Sequence, residues 1–421
     1  MIDPAHAFPM RQGALHAEEV PLADLAARFG TPLYVYSHAA LVGAFRRLRE
    51  AFAPLDPLVA YAVKANPALA VIRTFAREGA GADVVSGGEL LRALNAGVPA
   101  DRIVFSGVGK REDELALAVE RGIASVNVEV KGELELLSRL ARARGREVPL
   151  SFRVNPDVDA GSHDYISVGR RVNKFGLPLE EVPALWRRAA SLPGLRPRGV
   201  DCHIGSQLLA LEPVGAALDR VVGLVRRLRA EGHAVESVDV GGGLGVRYVD
   251  EQPPTPEAWA QAVRERIEPL GVELVLEPGR VLTANAGLLL TRVLYRKESR
   301  GKRFLIVDAA MNDLPRPALY GARHAVLAAR EGAATIEGDL VGPVCETGDF
   351  LARERPLPDV GPGELLAVLS AGAYCRSMAS NYNSRPRGAE VLVRGAEAHL
   401  VTARETLEQL AAGEALPPFL R

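Results

Sequence analysis

Between Leu58 and Arg280 the chain repeats one unit, and that repeat limits the fold more than any other feature. A short apolar, β-branched run ends in a polar or glycine-rich turn, and an amphipathic helical stretch follows. The runs are Val59–Lys64, Ala82–Ser86, Ile103–Gly107, Ser125–Val128, Leu150–Asn155, Gly199–Ile204, Val238–Gly243 and Glu273–Glu277. Between them lie stretches such as Gly88–Ala96, Glu112–Arg121, Gly132–Arg144, Pro213–Gly232 and Pro256–Leu270, with apolar residues three and four apart, as at Leu134, Leu137 and Leu140. Runs apolar on both faces that alternate with helices indicate parallel strands covered by helices. Eight such units over roughly 220 residues match a (β/α)₈ barrel of TIM type. An open doubly wound sheet is the alternative. The count of eight and the lack of a Gly-x-Gly-x-x-Gly turn after the first run favour the barrel.

The expected organisation is therefore α/β, with the barrel over residues 31–280. After Arg280 the helical period is largely lost. Gly287–Tyr295, Phe304–Asp308, Ala334–Leu340, Leu365–Ser370 and Glu390–Val393 read as strands between Gly, Pro and Arg-rich turns, with a helical stretch at Ala403–Ala411. This predicts a second, mostly β domain (a sandwich or barrel) over 281–421. Residues 1–30 are expected to join it, and Gly30–Tyr36 is itself strand-like. A chain of 421 residues is long enough for two such cores.

Composition excludes several partners. The formal net charge of -1 gives no reason to invoke nucleic acid or an anionic membrane. Cys202, Cys345 and Cys375 are few and far apart, without zinc-site spacing, which argues against a disulfide framework or a metal centre and for a reducing cytoplasm. The first twenty residues, broken by Pro4, Pro9, Arg11 and Glu18, have no signal-peptide core, and no stretch has the length of a membrane span.

In a barrel of this kind the chemistry sits at the carboxyl ends of the strands, so the polar residues there carry the functional signal. Lys64 ends the first run. It could be a lysine that reaches out to solvent, or a Schiff-base lysine activated by partial desolvation. Asp83 and Glu89 flank the second turn, where Ser86 is a natural helix cap. Arg153 lies inside an apolar run and normally needs a buried anion or acceptor. His203 ends the sixth run beside a Gly-Ser turn. A lone histidine is more often structural, but at this position its flat ring could stack on a cofactor. Gly241-Gly242-Gly243-Leu244-Gly245 could cradle a phosphate, although glycine-rich turns are common. Glu277-Pro278-Gly279-Arg280 ends the eighth run. Its carboxylate could pair with a ring nitrogen and Arg280 could fork onto a carboxylate, or the two could simply pair with each other. A lysine, a flat ring, a glycine cradle and an acid are together what pyridoxal 5'-phosphate requires.

These residues resemble the alanine-racemase-like, pyridoxal-phosphate-dependent barrel decarboxylases (fold type III), and within them the diaminopimelate branch. The matching phrases are Tyr61-Ala62-Val63-Lys64-Ala65-Asn66, Asp83-Val84-Val85-Ser86-Gly87-Gly88-Glu89-Leu90, His203-Ile204-Gly205-Ser206-Gln207, the Gly241–Gly245 turn and Glu277-Pro278-Gly279-Arg280. Further along are Arg316-Pro317-Ala318-Leu319-Tyr320, Cys345-Glu346-Thr347-Gly348-Asp349 and Gly372-Ala373-Tyr374. His163–Gly169 followed by Asn173-Lys174-Phe175-Gly176 also looks like the diaminopimelate branch, with small departures at Val168 and Ala309-Ala310.

The resemblance implies that Lys64 carries the cofactor, that His203 stacks on its ring and that Glu277 pairs with its nitrogen. Ser206, Gly242, Gly243, Gly279 and Arg280 would hold the phosphate, with Asp83, Arg153 and Tyr374 completing the cofactor site. Arg280, Arg316, Tyr320, Glu346 and Tyr374 would bind the substrate, and Cys345 would be the general acid. It further implies a homodimer with shared sites, Cys345 and Glu346 coming from the opposite subunit. A sister decarboxylase for carboxynorspermidine, ornithine or a D-amino acid, a racemase, and a non-enzymatic cofactor carrier are the alternatives. The long region after Arg280 speaks against the carrier.

Overall fold

Eight parallel strands close on themselves in the computed structural model, which describes residues 7–158 and 174–420. They are Leu58–Ala62, Gly81–Val84, Ile103–Phe105, Ser125–Val128, Val148–Asn155, Leu195–Asp201, Ser237–Asp239 and Glu273–Leu276. Each pairs with its neighbours in sequence, and the eighth pairs with the first through Val275–Leu58 and Leu276–Val59. Every one falls within or beside a run predicted from sequence, because these runs hide both faces. Helices cover the outside. Leu134, Leu137 and Leu140 of helix Glu133–Arg144 are all buried, the stripe that their spacing requires. Ser86 caps helix Gly87–Asn95 by accepting from the Glu89 amide at 3.2 Å, while Glu89 Oε2 accepts from the Val85 amide at 2.9 Å.

Contacts divide the chain into a barrel unit, Leu41–Arg247 with Glu251–Leu282, and a second unit, Ile2–Ala40 with Tyr248–Asp250 and Thr283–Arg421. The barrel therefore begins about ten residues later than position 31. Strand Leu33–Ser37, buried at all five positions, pairs antiparallel with Gly287–Ser299 and parallel with Ala389–Arg394. A strand apolar on both sides takes a central place in the second sheet.

The second unit is mostly β. A nine-stranded sheet runs Phe350–Pro358, Thr335–Val341, Lys302–Val307, Gly287–Ser299, Leu33–Ser37, Ala389–Arg394, Glu397–Thr402 along its main path. Leu365–Val368 joins it at Gly287–Ser299 and carries Val326–Ala328. A small three-stranded sheet holds Met10–Arg11, Ala14–Ala17 and Val20–Pro21. In the nine-stranded sheet three strands were not foreseen: Val326–Ala328, Phe350–Pro358 and Glu397–Thr402. The last two are edge strands, where charged residues and proline are tolerated, so their sequences read as turns. The helix expected over Ala403–Ala411 shrinks to Leu407–Leu410. Thr406 caps it, accepting from the Gln409 amide at 3.3 Å, so the helix cannot start earlier. Among the described residues no helix is long and apolar enough to cross a membrane. The phrase His163–Gly169 and Asn173 lie outside the described residues.

Candidate active site

The carboxyl ends of the barrel strands gather one group of the predicted residues. Lys64 sits in the single helical turn Val63–Ala65 directly after the first strand, and its Nζ donates to Asp83 Oδ2 at 2.5 Å. Asp83 is fully buried and Lys64 about a third exposed, so the lysine spans from an anion in the barrel wall toward the open end. The neighbouring Glu89 is pushed up to about 6, first by burial.

The sixth, seventh and eighth strand ends form a second cluster. Gly242 N–H donates to His203 Nδ1 at 3.2 Å, and Gly241 N–H donates to Asp239 Oδ1 at 2.8 Å. Desolvation, with the charges of Arg153 and Lys64, holds the His203 imidazole well below its ordinary value, so the ring is neutral. The glycines are sterically required. A Cβ on Gly242 would stand 2.2 Å from the Glu277 carbonyl oxygen, and one on Gly243, where φ is +96°, 2.4 Å from that of Gly205. Ser206 lies across from this turn and accepts a hydrogen bond from Arg280 Nη2 at 2.7 Å.

Glu277 is buried beneath these groups. Its Oε1 accepts from Ser106 Oγ at 3.2 Å, and burial and the carboxylates of Asp239, Asp83 and Asp201 raise its carboxyl well above the usual range. Asp239 is pushed up to about 6, first by burial, and Asp201 is raised well above its ordinary value by burial and by Asp239. Arg153 finds the buried anions its setting demands: Nη1 donates to Glu129 Oε1 at 2.8 Å and Nε lies 3.8 Å from Asp201 Oδ2. Its guanidinium also stacks 5.0 Å from the Phe175 ring centre.

The remaining candidates belong to the second unit. Arg316 starts the short helix Arg316–Tyr320. Its Nη1 contacts His324 Nε2 at 2.9 Å and its guanidinium lies 4.6 Å from the Tyr248 ring centre. Tyr374 adopts φ +55°, a strained conformation for a tyrosine and one that aims a side chain off the regular path. Cys345 and Glu346 are exposed on a loop. Buried Asp349 ties that loop down, accepting from the Val344 and Met311 amides at 2.6 Å each. Glu346 Oε2 accepts from the Tyr382 hydroxyl at 2.8 Å.

Several participants escaped sequence reasoning. Glu129 accepts from Arg153, the Gly107 amide and the Gly176 amide, and so joins three segments. Ser106, Asn127, Asp201 and Asp239 form the polar bed under Glu277, and His324 backs Arg316. The available signal was a polar residue alternating with apolar ones inside a strand, which must face the barrel interior.

The donor set suits pyridoxal phosphate. It combines an amine beside a buried acid, a turn whose first Cβ would collide with backbone, a serine–arginine pair, and a buried carboxyl that keeps its proton. The class follows: a family model described as "Pyridoxal-dependent decarboxylase, pyridoxal binding domain" matches residues 38–284. Diaminopimelate decarboxylase of Pseudomonas aeruginosa is 53% identical over 412 residues, covering 98% of this chain and 99% of that one. That of Vibrio cholerae is 50% identical over 409 residues, covering 96% and 98%. The crystal structure of diaminopimelate decarboxylase from M. jannaschii with L-lysine superposes with TM-score 0.95 at 37% identity over the whole of both chains. That from Helicobacter pylori with L-lysine gives 0.90 at 40%, covering 93% and 98%. The chain belongs to the diaminopimelate decarboxylase family.

Proposed function

We propose that this protein decarboxylates meso-2,6-diaminopimelate at its D centre, releasing carbon dioxide and L-lysine, the last step of lysine biosynthesis, with pyridoxal 5'-phosphate as cofactor. The observation that carries this reading is the meeting of Lys64, Asp83, His203, the Gly242–Gly243 turn and Glu277 at one end of one barrel. When bound, the cofactor supplies a ring that accepts the electron pair left behind by departing carbon dioxide.

The chain's own residues have separable tasks. Lys64 would attach the cofactor, and Asp83 orients its amine. Gly242, Gly243, Ser206, Gly279 and Arg280 would hold the phosphate, with the Ser206–Arg280 bond keeping hydroxyl and guanidinium in register. Neutral His203 offers a ring face without a competing charge. Glu277 keeps a proton at its carboxyl for the ring nitrogen, and Arg153 neutralises the acids beneath. Arg280, Arg316 and Tyr320 would bind the distal carboxylate, Glu346 the distal amine, and Tyr374 would line both ligands. Cys345 would deliver the proton that replaces carbon dioxide on the α-carbon. The balance is one proton consumed for each carbon dioxide released. A cytoplasmic homodimer in which Cys345 and Glu346 serve the partner's barrel completes the reading.

Carbon dioxide release from meso-diaminopimelate, with and without added pyridoxal phosphate and beside Lys64→Ala, tests it. Cofactor-dependent release with lysine as product, lost in the variant, is expected. Turnover of ornithine or carboxynorspermidine instead would reassign the substrate.

A further inference from the structure

A (β/α)₈ barrel ordinarily fills its interior with layers of bulky branched side chains. Register shows a different filling here. Ser151 stands beside Gly199, and Gly199 beside Ser237, in one row across the fifth, sixth and seventh strands. Arg153, Asp201 and Asp239 form the corresponding row two residues further along. Side chains two apart on a strand share a face, so the small row and the charged row both point into the barrel. Ser125 adds a hydroxyl 3.2 Å from that of Ser151. A Cβ on Gly199 would stand 2.2 Å from Ser237 Oγ and 2.7 Å from Ser151 Oγ, which restricts that row to small residues.

The result is a cavity of about 680 Å³ at the amino end of the barrel, the end opposite Lys64. Leu58, Ser125, Ser237 and Glu273 line its mouth, each the first residue of its strand, and it reaches Asn127 and Asp239 two residues further in. From there the polar path continues. Asn127 Nδ2 donates to Ser106 Oγ at 3.0 Å, and Ser106 Oγ to Glu277 Oε1 at 3.2 Å. Asp239 is 4% exposed, its Oδ2 receives no hydrogen bond from a described amide, amine or hydroxyl group, and its side-chain partner is the Glu277 carboxyl. Oxygens of Asp201, Asp239 and Glu277 lie within 4.8 Å of one another. A polar cavity that ends on a buried carboxyl pair is where ordered water belongs.

We propose that this serine-lined shaft is a water-filled proton route from the amino-terminal face of the barrel to the Asp239–Glu277 carboxyl pair. The inference rests on the reading above, in which bound cofactor covers the pair from the carboxyl side. The transfer is a simple exchange. One proton passes from the pair to a shaft water and leaves at the mouth as hydronium, and uptake runs in reverse, with no redox partner. The groups around the pair set its direction. Asp83 and Asp201 favour retention of the proton, and Lys64 and Arg153 favour its release. His203 stays neutral and opposes neither.

Two measurements test the route on the holoenzyme. In Ser125→Cys, a small cationic methanethiosulfonate reagent is applied and the modified site is mapped by peptide mass, which separates it from Cys202, Cys345 and Cys375. Modification while the visible band of bound cofactor persists is expected. A thiol that reacts only after denaturation would overturn the shaft. The second measurement follows the infrared carbonyl stretch of the protonated carboxyls after transfer to heavy water, in the wild type and in Ser237→Val. Exchange about tenfold slower or more in the loaded variant, with equal rates in the two cofactor-free proteins, is the expected pattern. Equal rates in both loaded proteins would overturn the route. If Ser237→Val fails to fold, the Ser125→Cys result still decides. A chain that never shows a cofactor band would count against the function proposed above, and the labelling would then judge the shaft separately.

Discussion

Gly242 N–H donates to Nδ1 of His203 at 3.2 Å, and this bond assigns the proton of the neutral imidazole to Nε2. The same glycine cannot carry a side chain, because its Cβ would come within 2.2 Å of the Glu277 carbonyl oxygen. Gly242→Ala must therefore move the turn, the histidine or the acid. Forced repacking of this kind costs about 1–3 kcal/mol, so affinity for pyridoxal phosphate should fall about 10- to 100-fold. Equilibrium dialysis followed at the visible band checks this. Unchanged affinity would mean that the cradle lies elsewhere.

The carboxyl pair predicts how stability responds to pH. Asp239 is pushed up to about 6, so between its ordinary value and pH 6 the folded protein holds a proton that the unfolded chain has lost. Stability must then fall as pH rises through that window, and raised Glu277 extends the fall upward. Glu277→Gln resembles the protonated acid and removes the penalty. Calorimetry of the cofactor-free protein should show a melting temperature a few degrees above wild type at pH 8, with the gap closing near pH 4. In the loaded variant kcat should fall about 10²-fold or more. A gap that widened toward pH 4 would refute the assignment.

The barrel was legible because its strands are short, buried on both faces and alternate with amphipathic helices, so counting the alternations gave eight. The edge strand Phe350–Pro358 was not, since an edge needs no apolar pattern. At the site, Lys64, His203 and Glu277 announced themselves by standing at strand ends. Asp201, Asp239 and Asn127 did not, because a polar residue between two apolar ones becomes informative only once a closed barrel turns its face inward. His324 gave no local signal. Its role exists only through Arg316, and seven residues of helix and loop separate the two.

His324 is fully buried, and its Nδ1 lies 2.8 Å from the Leu369 carbonyl oxygen. Nδ1 must be the donor there, which leaves Nε2 to accept from Arg316 at 2.9 Å. The histidine thus positions Arg316, the arginine proposed above to bind the substrate carboxylate. Losing one such bond is worth about 1.4 kcal/mol, so His324→Ala should raise KM for diaminopimelate about tenfold with kcat little changed. Cofactor affinity should not move, and His324→Gln should recover part of the loss. A fall in melting temperature with KM intact would reduce the residue to packing.

Cys345 lies exposed on a loop fastened by Asp349, and its amide donates to Asn383 Oδ1 at 3.1 Å. The general-acid role proposed for Cys345 fits its exposure on its own chain only if a second copy covers it. Lys64→Ala and Cys345→Ala should each be nearly inactive alone. If sites are shared, a mixed dimer has one barrel in which an intact Lys64 meets an intact Cys345, and one barrel in which both are lost. Random exchange of equal amounts puts about half of the dimers in the mixed state, so about a quarter of wild-type activity should return. Native mass spectrometry can count the mixed dimers. If they form in that proportion and activity stays absent, Cys345 does not serve the partner's barrel, and the proton must come from a group within the same chain.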